Sequence, residues 1–213
     1  MSKHLIIQSL HRDESFLAKG TDHLLEKLNS LNQDFNLRSL YDIKFNPVLT
    51  TNDFQALKSC NLPEDIAKEQ EMIKQAEYLW IIFPIWWSGM PAILKGYIDR
   101  VFLSGFAYRM KNDSPVGLLT DKKVIILNSM GMSREDYEKS GMYKALALTI
   151  DKGIFEFSGM QVVAHRYFTS IMSADEKVRQ SYLNEIGRLA EDITANGSGN
   201  PKELKSNRYI AVK

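Results

Sequence analysis

The sequence is poor in cysteine, since Cys60 is the only one in 213 residues. A single cysteine excludes an internal disulfide, and without further cysteines or a histidine-rich cluster it does not indicate a metal site. We therefore expect no metal ligands, and we expect Cys60 to be partly buried rather than catalytic. Polar residues 1–4 lead directly into a predicted strand, so we expect no secretory signal and a cytoplasmic protein.

Neither sign of charge is in excess, and no long apolar run is present. The net charge is +1 at pH 7, which provides neither a basic field for nucleic acid nor an acidic tail. The longest apolar window, residues 78–94, is interrupted by two prolines, a serine and a glycine, so it does not predict a membrane span. The short motifs of serine hydrolases, zinc proteases and P-loop enzymes are also absent. We expect no nucleic-acid partner and no membrane span.

Apolar runs and helical patterns alternate along the chain, and 44% of the residues are hydrophobic, enough for one substantial core. The predicted strands cover residues 5–7, 35–40, 78–83, 123–128 and 161–164. The predicted helices cover residues 14–32, 66–73, 91–103, 142–157 and 175–194, with a loop over 46–53 and a polar turn at 112–115. This order predicts an α/β fold, a doubly wound five-stranded parallel sheet with helices on both faces. We expect one domain over residues 1–195, followed by a tail or dimer arm over 196–213.

The most informative segment covers residues 83–102 and reads FPIWWSGMPAILKGYIDRVF. Two indoles and a glycine lie where a buried strand ends and a helix begins, which is where open parallel sheets bind ligands. Pro84 ends the strand, and Pro91 suits the first turn of the helix. The loop between them offers backbone N–H groups beside two aromatic rings, an arrangement that suits a flat ligand with polar edges.

The phrase GMPAILKG at residues 89–96, followed by DRVF at 99–102, resembles the second flavin-binding loop of the flavodoxin-like NAD(P)H:quinone reductases. This resemblance implies the strand order 2-1-3-4-5 and a bound flavin, with FMN favoured over FAD because the loop between strands 2 and 3 is short. In that family the aromatic pair and the glycine hold the isoalloxazine ring. The positions that the resemblance assigns to this role are Pro84, Ile85, Trp86, Trp87, Ser88 and Gly89.

The loop after the first strand opens a helix amino terminus, which is a suitable place for a phosphate group. The resemblance assigns His11, Ser15 and Phe16 to the flavin phosphate. Arg12 stands where the family often has proline, and it provides a guanidinium suited to phosphate oxygens.

The loop after the fourth predicted strand carries Gly131, the surviving member of a glycine pair whose second position is Met132. The resemblance places Tyr137 and Tyr143 at the N1/O2 edge of the flavin as catalytic residues. A tyrosine hydroxyl can stabilise charge that develops there, whereas a histidine, which the family often has at the second position, could also become protonated. Tyr143 is thus the weaker donor of charge, and packing is the alternative role for both tyrosines.

The stretch Gly105-Phe106-Ala107-Tyr108 also resembles the family, where it borders the substrate pocket near a dimer interface. The resemblance therefore implies that Phe106 and Tyr108 face the substrate. It implies a homodimer that passes hydride from NAD(P)H through the flavin to quinones, nitroaromatics or azo compounds by a ping-pong mechanism. Two alternatives stay open: a regulatory flavoprotein subunit of a potassium efflux system, and an electron-transfer flavodoxin. The second is disfavoured because the chain is nearly neutral and contains the Trp-Trp phrase.

Overall fold

The computed structural model describes residues 3–59 and 61–195. Cys60 and residues 196–213 lie outside this range, so the expectations about the thiol, the tail and the domain boundary stay predictions. The strands are β1 His4–Gln8, β2 Phe35–Ser39, β3 Tyr78–Pro84, β4 Tyr108–Lys111, β5 Ser114–Gly117, β6 Lys123–Ser129 and β7 Gln161–Phe168. The α-helices are α1 Phe16–Ser30, α2 Thr51–Lys58, α3 Glu64–Gln75, α4 Ala92–Val101, α5 Arg134–Lys139, α6 Met142–Leu146 and α7 Glu176–Ala195. A π-helix covers Ala147–Glu156.

The main sheet has five strands in the order β2-β1-β3-β6-β7, and every neighbouring pair in it is parallel. Counted within this sheet alone, the order is the predicted 2-1-3-4-5, so the predicted fold is confirmed. The central strands β3 and β6 are buried along nearly their whole length, as expected for strands covered by helices on both faces. One apolar cluster lies on each face of the sheet. None of the helices in the described residues has the length and apolarity that crossing a bilayer requires.

The strands β4 and β5 and the helices α2 and α5 were not predicted. Strands β4 and β5 form an antiparallel hairpin where we expected only a polar turn. Its tip residues, Asn112 and Asp113, have φ of 50° and 57°, as a two-residue hairpin requires. Helix α2 begins inside the loop predicted over 46–53 and continues beyond it. Its start is stabilised by Asp53, whose carboxylate accepts hydrogen bonds from the backbone N–H and the hydroxyl of Thr50.

A buried ion-pair cluster ties the segment between β2 and α3 to helix α4. The Arg100 guanidinium lies 2.8 Å from Asp53 and 2.7 Å from Asp65, and it also donates to the Asn46 carbonyl. A Cβ atom added to Gly96 would lie 2.2 Å from the Pro47 carbonyl oxygen, so only glycine permits this close approach. These contacts fix α4, and with it the loop that precedes it.

The predicted helix over 142–157 has two parts, the α-helix α6 and the π-helix that follows it without a break. The wider turn of a π-helix changes which side chains face the sheet. Asp151 is one of the buried residues of this π-helix. A charged side chain is therefore directed into the core, a result that an α-helical period does not predict.

Candidate active site

The loops that follow β1, β3 and β6 meet at the carboxyl edge of the sheet. Backbone hydrogen bonds connect them: Ser9 N–H donates to the Ile82 carbonyl, Ile85 N–H to that of Ser129, and Met130 N–H to that of Phe168, at 3.0, 2.9 and 2.9 Å. The three segments that resemble flavin-binding loops are thus held side by side by the strands themselves.

Residues Trp86 to Gly89 form a two-residue hairpin turn. The amide of each end donates to the carbonyl of the other, at 3.1 and 3.0 Å. Trp87 and Ser88, at the tip, have φ of 48° and 59°, a left-handed conformation that costs a side-chain-bearing residue about 1–2 kcal/mol. Strain of this kind is often retained at ligand sites.

The same turn leaves groups available to a ligand. The Trp87 side chain is fully exposed, and that of Trp86 is 40% exposed. Among the described residues, the amides of Trp87 and Ser88 have no hydrogen-bond acceptor, whereas the Gly89 amide is used to close the turn. The two free donors of this loop therefore belong to Trp87 and Ser88. Ile85 is buried beneath them, and Pro84 is the last residue of β3.

The turn Trp86–Gly89 is called the ring loop below. The loop after β1 contacts it through His11, whose imidazole lies 5.0 Å from the Trp86 ring in an edge-on arrangement. On its other side, His11 lies 6.5 Å from the ring of Tyr41. Tyr41 was not identified from the sequence. The available signal was its position just after β2, because β2 pairs with β1 and its carboxyl end reaches the same edge.

Helix α1 begins where the phosphate group is expected. The Ser15 hydroxyl caps the helix by accepting a hydrogen bond from the Ala18 amide at 3.1 Å, and the Phe16 ring packs edge-on against Phe168 at 5.3 Å. Within the described residues, the buried Ser9 hydroxyl has no partner. Amides at a helix start together with a spare hydroxyl match the donor set that a phosphate group requires.

The segment after β6 contributes two tyrosines, which form a row with a third from β7. The rings of Tyr137 and Tyr143 are 5.6 Å apart, and the ring of Tyr167 in β7 lies 4.8 Å beyond that of Tyr143. The Tyr143 hydroxyl is buried, and in the described part of the chain nothing pairs with it. Burial raises the pKa of Tyr143 to about 12 and also raises the pKa of Tyr137, so both hydroxyls keep their protons at neutral pH. Gly131, nearby in sequence, has open space where a Cβ atom would lie.

Comparison with known proteins decides the family. The family model described as a flavodoxin-like fold matches residues 2–190. The chain belongs to this flavodoxin-like family. It is 34% identical over 183 residues to an uncharacterized NAD(P)H oxidoreductase of Haemophilus influenzae, with 84% of this chain and 90% of that protein covered.

Two solved structures are similar to this flavodoxin-like protein. The NAD(P)H:quinone oxidoreductase of Methanothermobacter marburgensis superposes with a TM-score of 0.79 at 28% identity, covering 91% of this chain and all of that one, at 100%. An FMN-dependent NADH-azoreductase from Bacillus anthracis, in complex with FMN, superposes with a TM-score of 0.71 at 21% identity, covering 91% and 100%. The second likeness shows the fold alone. The resemblance to quinone reductases that the motifs indicated is confirmed.

The residues of this flavodoxin-like protein fit a flavin and its phosphate group. The free amides of Trp87 and Ser88 suit the polar edge of the ring, and the unpaired Tyr143 hydroxyl suits a second acceptor. The unpaired Ser9 hydroxyl and the start of α1 suit the phosphate, and the open space at Gly131 leaves room for a ligand. Of these groups, the buried Ser9 and Tyr143 hydroxyls need a partner that the described chain does not provide.

A buried polar network behind the tyrosines was missed by sequence reasoning. His165 in β7 lies 2.7 Å from Asp151 through Nδ1 and 2.6 Å from the Asn128 side-chain oxygen through Nε2. The Tyr167 hydroxyl lies 3.1 Å from the same Nδ1. The signal in the sequence was a histidine directly after the apolar run Val162-Val163-Ala164 of the last strand and an asparagine near the end of β6.

Of the expected substrate-pocket residues, Phe106 lies just before the hairpin and Tyr108 is its first residue. Phe106 is 9% exposed and belongs to the apolar core. It therefore offers little surface to a substrate within one chain. Tyr108 is half-buried, and its ring packs 5.4 Å from that of Phe157.

A cavity of about 1020 Å³ opens beside Tyr137, Tyr143 and Tyr167. Its remaining lining residues are Arg134, Glu138, Lys139, Ser140, Gly141, Lys144, Ala147, Leu148 and Lys152. Arg134 pairs with Glu138, and Lys139 pairs with Glu135. Lys144 and Lys152 have no acidic partner among the described residues, so the cavity has a positive wall.

Proposed function

We propose that this protein binds FMN and passes hydride from NAD(P)H to quinones or related aromatic acceptors. The type of enzyme is that of its relatives, which are NAD(P)H oxidoreductases and NAD(P)H:quinone oxidoreductases. The observation that carries the proposal is the meeting of three loops at one sheet edge, where they present free amides, exposed indoles and unpaired hydroxyls. When bound, the flavin supplies the hydride chemistry, and the protein supplies orientation and electrostatics.

The reaction balances as a two-electron transfer. NAD(P)H gives up a hydride and becomes NAD(P)⁺, and the quinone takes up that hydride and one proton from solvent to become the hydroquinone. We place the two substrates in turn on the same exposed side of the ring loop, which gives a ping-pong order. Tyr137 and Tyr143 are both kept protonated by burial, and with a flavin bound they would donate hydrogen bonds toward charge that develops on the ring.

FMN is the proposed form of the flavin for two reasons. The fold relative from Bacillus anthracis holds FMN, and the segment between β2 and α3 is tied closely to α4 by Arg100 rather than extended as an open loop. The adenylate half of FAD would need a further binding surface, which this closely packed segment does not offer.

The cavity beside the tyrosines favours acceptors that carry a negative charge. Lys144 and Lys152 line it without an acidic partner in the described chain, and unpaired cations attract anionic aromatic groups such as sulfonates. Changing both lysines to glutamine should lower kcat/KM for a sulfonated naphthoquinone about tenfold and leave neutral naphthoquinone unchanged. The matched control is Lys139→Gln, since Lys139 lines the same cavity but is paired with Glu135. An equal loss with both quinones would exclude this charge preference.

The proposed function is tested by the visible spectrum of the purified protein and by chromatography of any released flavin. NADH or NADPH should bleach bound FMN, and a quinone should restore its colour. The variant Trp87→Ala should retain less flavin and oxidise NAD(P)H more slowly, although it removes only an exposed side chain. A colourless protein that cannot be reconstituted with either flavin would overturn the proposal.

A further inference from the structure

The core contains an ionisable pair, His165 and Asp151, that has no role in the reaction proposed above. His165 and Asp151 are both completely buried, at 0% exposure, and an apolar pair would fill the same space at lower cost. We propose that this pair holds a proton behind the site tyrosines, and that His165 is a positioning residue for the flavin site. The inference rests on the proposed function for its consequence, although the proton itself can be observed without any flavin.

The orientation of Asn128 fixes the state of one imidazole nitrogen. Its side-chain N–H₂ group donates to the Phe83 carbonyl at 2.9 Å and to the Leu127 carbonyl at 3.2 Å. The oxygen is therefore the atom that faces His165 Nε2 at 2.6 Å. Because an amide oxygen only accepts, Nε2 must carry a hydrogen.

The other nitrogen faces a carboxylate. Nδ1 lies 2.7 Å from an Asp151 oxygen, a distance at which a hydrogen lies between the two atoms. With Nε2 already protonated, this second hydrogen makes the pair electrically neutral as a whole. Without it, Asp151 would place a net negative charge in the core, which is strongly unfavourable. Arg166 is the neighbouring cation on β7, and it pairs at 2.9 Å with Glu185 of α7.

A stack of rings leads from the pair to the site. The Tyr167 ring lies on the imidazole at 4.1 Å with an interplanar angle of 28°, and its hydroxyl approaches Nδ1 at 3.1 Å. The Tyr143 ring lies 4.8 Å further on, and its buried hydroxyl has no partner in the described chain. At position 143, where the family often has a histidine, this chain has a tyrosine. The protonated histidine of this chain is His165, which is separated from Tyr143 by the Tyr167 ring.

The network also reaches the ring loop. Asn128 holds the carbonyl of Phe83, the residue immediately before Pro84 and the turn that carries the two tryptophans. His165 therefore positions two parts of the site at once, the tyrosines through Tyr167 and the ring loop through Asn128. With a flavin bound, a protonated His165 imidazole behind Tyr167 and Tyr143 would favour negative charge on the ring.

The proton can be tested in flavin-free protein by NMR of the histidine ring nitrogens between pH 6 and 9. Wild-type His165 should show hydrogens on both nitrogens, one of them strongly downfield, and Asp151→Asn should lose the downfield signal. A wild-type His165 with one ring hydrogen would overturn the inference. This measurement does not depend on catalysis, so its failure is distinct from a failure to bind or reduce flavin.

The positioning role is tested by the reduction potential of bound FMN. His165→Gln should lower the two-electron equilibrium constant for flavin reduction about tenfold, which is about 30 mV. Tyr167→Phe, which removes only a hydroxyl, should shift the potential in the same direction. His4→Gln is the matched control, because His4 is equally buried but lies in β1 and hydrogen-bonds Trp80. An unchanged potential in both His165→Gln and Tyr167→Phe would reduce the pair to a packing role.

Discussion

Two glycines close to the site differ in what surrounds them. A Cβ atom at Gly131 would meet no atom within 4 Å, whereas one at Gly96 would collide with Pro47. Gly131→Ala should therefore leave the melting temperature unchanged but weaken FMN binding at least about tenfold, because the methyl group occupies ligand space. Gly96→Ala should lower the free energy of unfolding by about 1–3 kcal/mol. Titration with FMN and thermal melts distinguish the two effects, and a Gly131→Ala protein with unaltered FMN affinity would show that this space is not used.

His4 provides a pH dependence of stability. Its Nδ1 accepts a hydrogen bond from the Trp80 indole at 3.1 Å, and burial together with Lys3 lowers the pKa of His4 from 6.5 to about 4. Between these values the unfolded chain binds a proton that the folded chain does not. The free energy of unfolding should therefore fall as pH drops from 6.5 to 4, by roughly 3 kcal/mol.

The check is urea unfolding at pH 7 and pH 4.5 for the wild type and for His4→Gln, which cannot take up the proton. The difference between the two proteins should change with pH over this window. A parallel loss of stability in both would assign the pH dependence to other groups.

At the scale of single residues, the sequence predicted the position of site residues that are placed by residues adjacent to them in the chain. The Trp-Trp-Ser-Gly phrase lies at the sheet edge as predicted, because a buried strand and Pro91 determine where the loop begins and ends. Tyr41, Asp151 and His165 were missed, since each acquires its role from a residue far away in sequence. Asp151 additionally depends on the π-helical turn that directs it inward.

Among the elements, the ring-loop turn shows a conflict between stability and function. Type I′ turns favour Asn-Gly, yet the tip here is Trp87-Ser88, with both residues left-handed. Replacing the pair by Asn-Gly should raise the free energy of unfolding by about 1 kcal/mol or more. It should also reduce flavin retention, as is expected for Trp87→Ala, because the indole is lost. Chemical denaturation and the visible spectrum measure the two effects, and a variant that is both more stable and yellow would show that Trp87 is not needed.

The sequence predicted the main elements well because β3 and β6 are continuous apolar runs and the long helices α1 and α7 have clear apolar faces. It did not predict the hairpin β4-β5, whose residues are largely exposed and lack alternation. Helix α2 was missed for a related reason, because it has no clear apolar face. It is held in place by the ion pair between its Asp53 and Arg100 of α4, which is distant in sequence.

For the whole molecule, the hairpin leaves apolar side chains exposed, and we expect them to lie in the homodimer interface that the resemblance implies. Tyr108 and Met110 lie two residues apart on one face of β4, Tyr108 packs on Phe157, and Met110 and Phe157 are 59% and 42% exposed. Met110→Glu should therefore shift the protein from dimer to monomer in sedimentation experiments and reduce turnover, because burying a carboxylate at an apolar contact is costly. Arg109→Gln is the control, since it changes the net charge equally from the opposite face of the strand. A wild-type protein that sediments as a monomer would contradict the dimer.

The three tryptophans give the molecule its own optical reporter. Trp80 is completely buried in the core, Trp86 is the first residue of the turn and is 40% exposed, and Trp87 is fully exposed at its tip. The emission of Trp80 should therefore be blue-shifted and insensitive to ligands, while that of Trp87 should be red-shifted and quenched by any aromatic ring that stacks on the turn. Ligand occupancy of the site can therefore be followed by tryptophan fluorescence without a label, with the emission of the buried Trp80 as the internal standard.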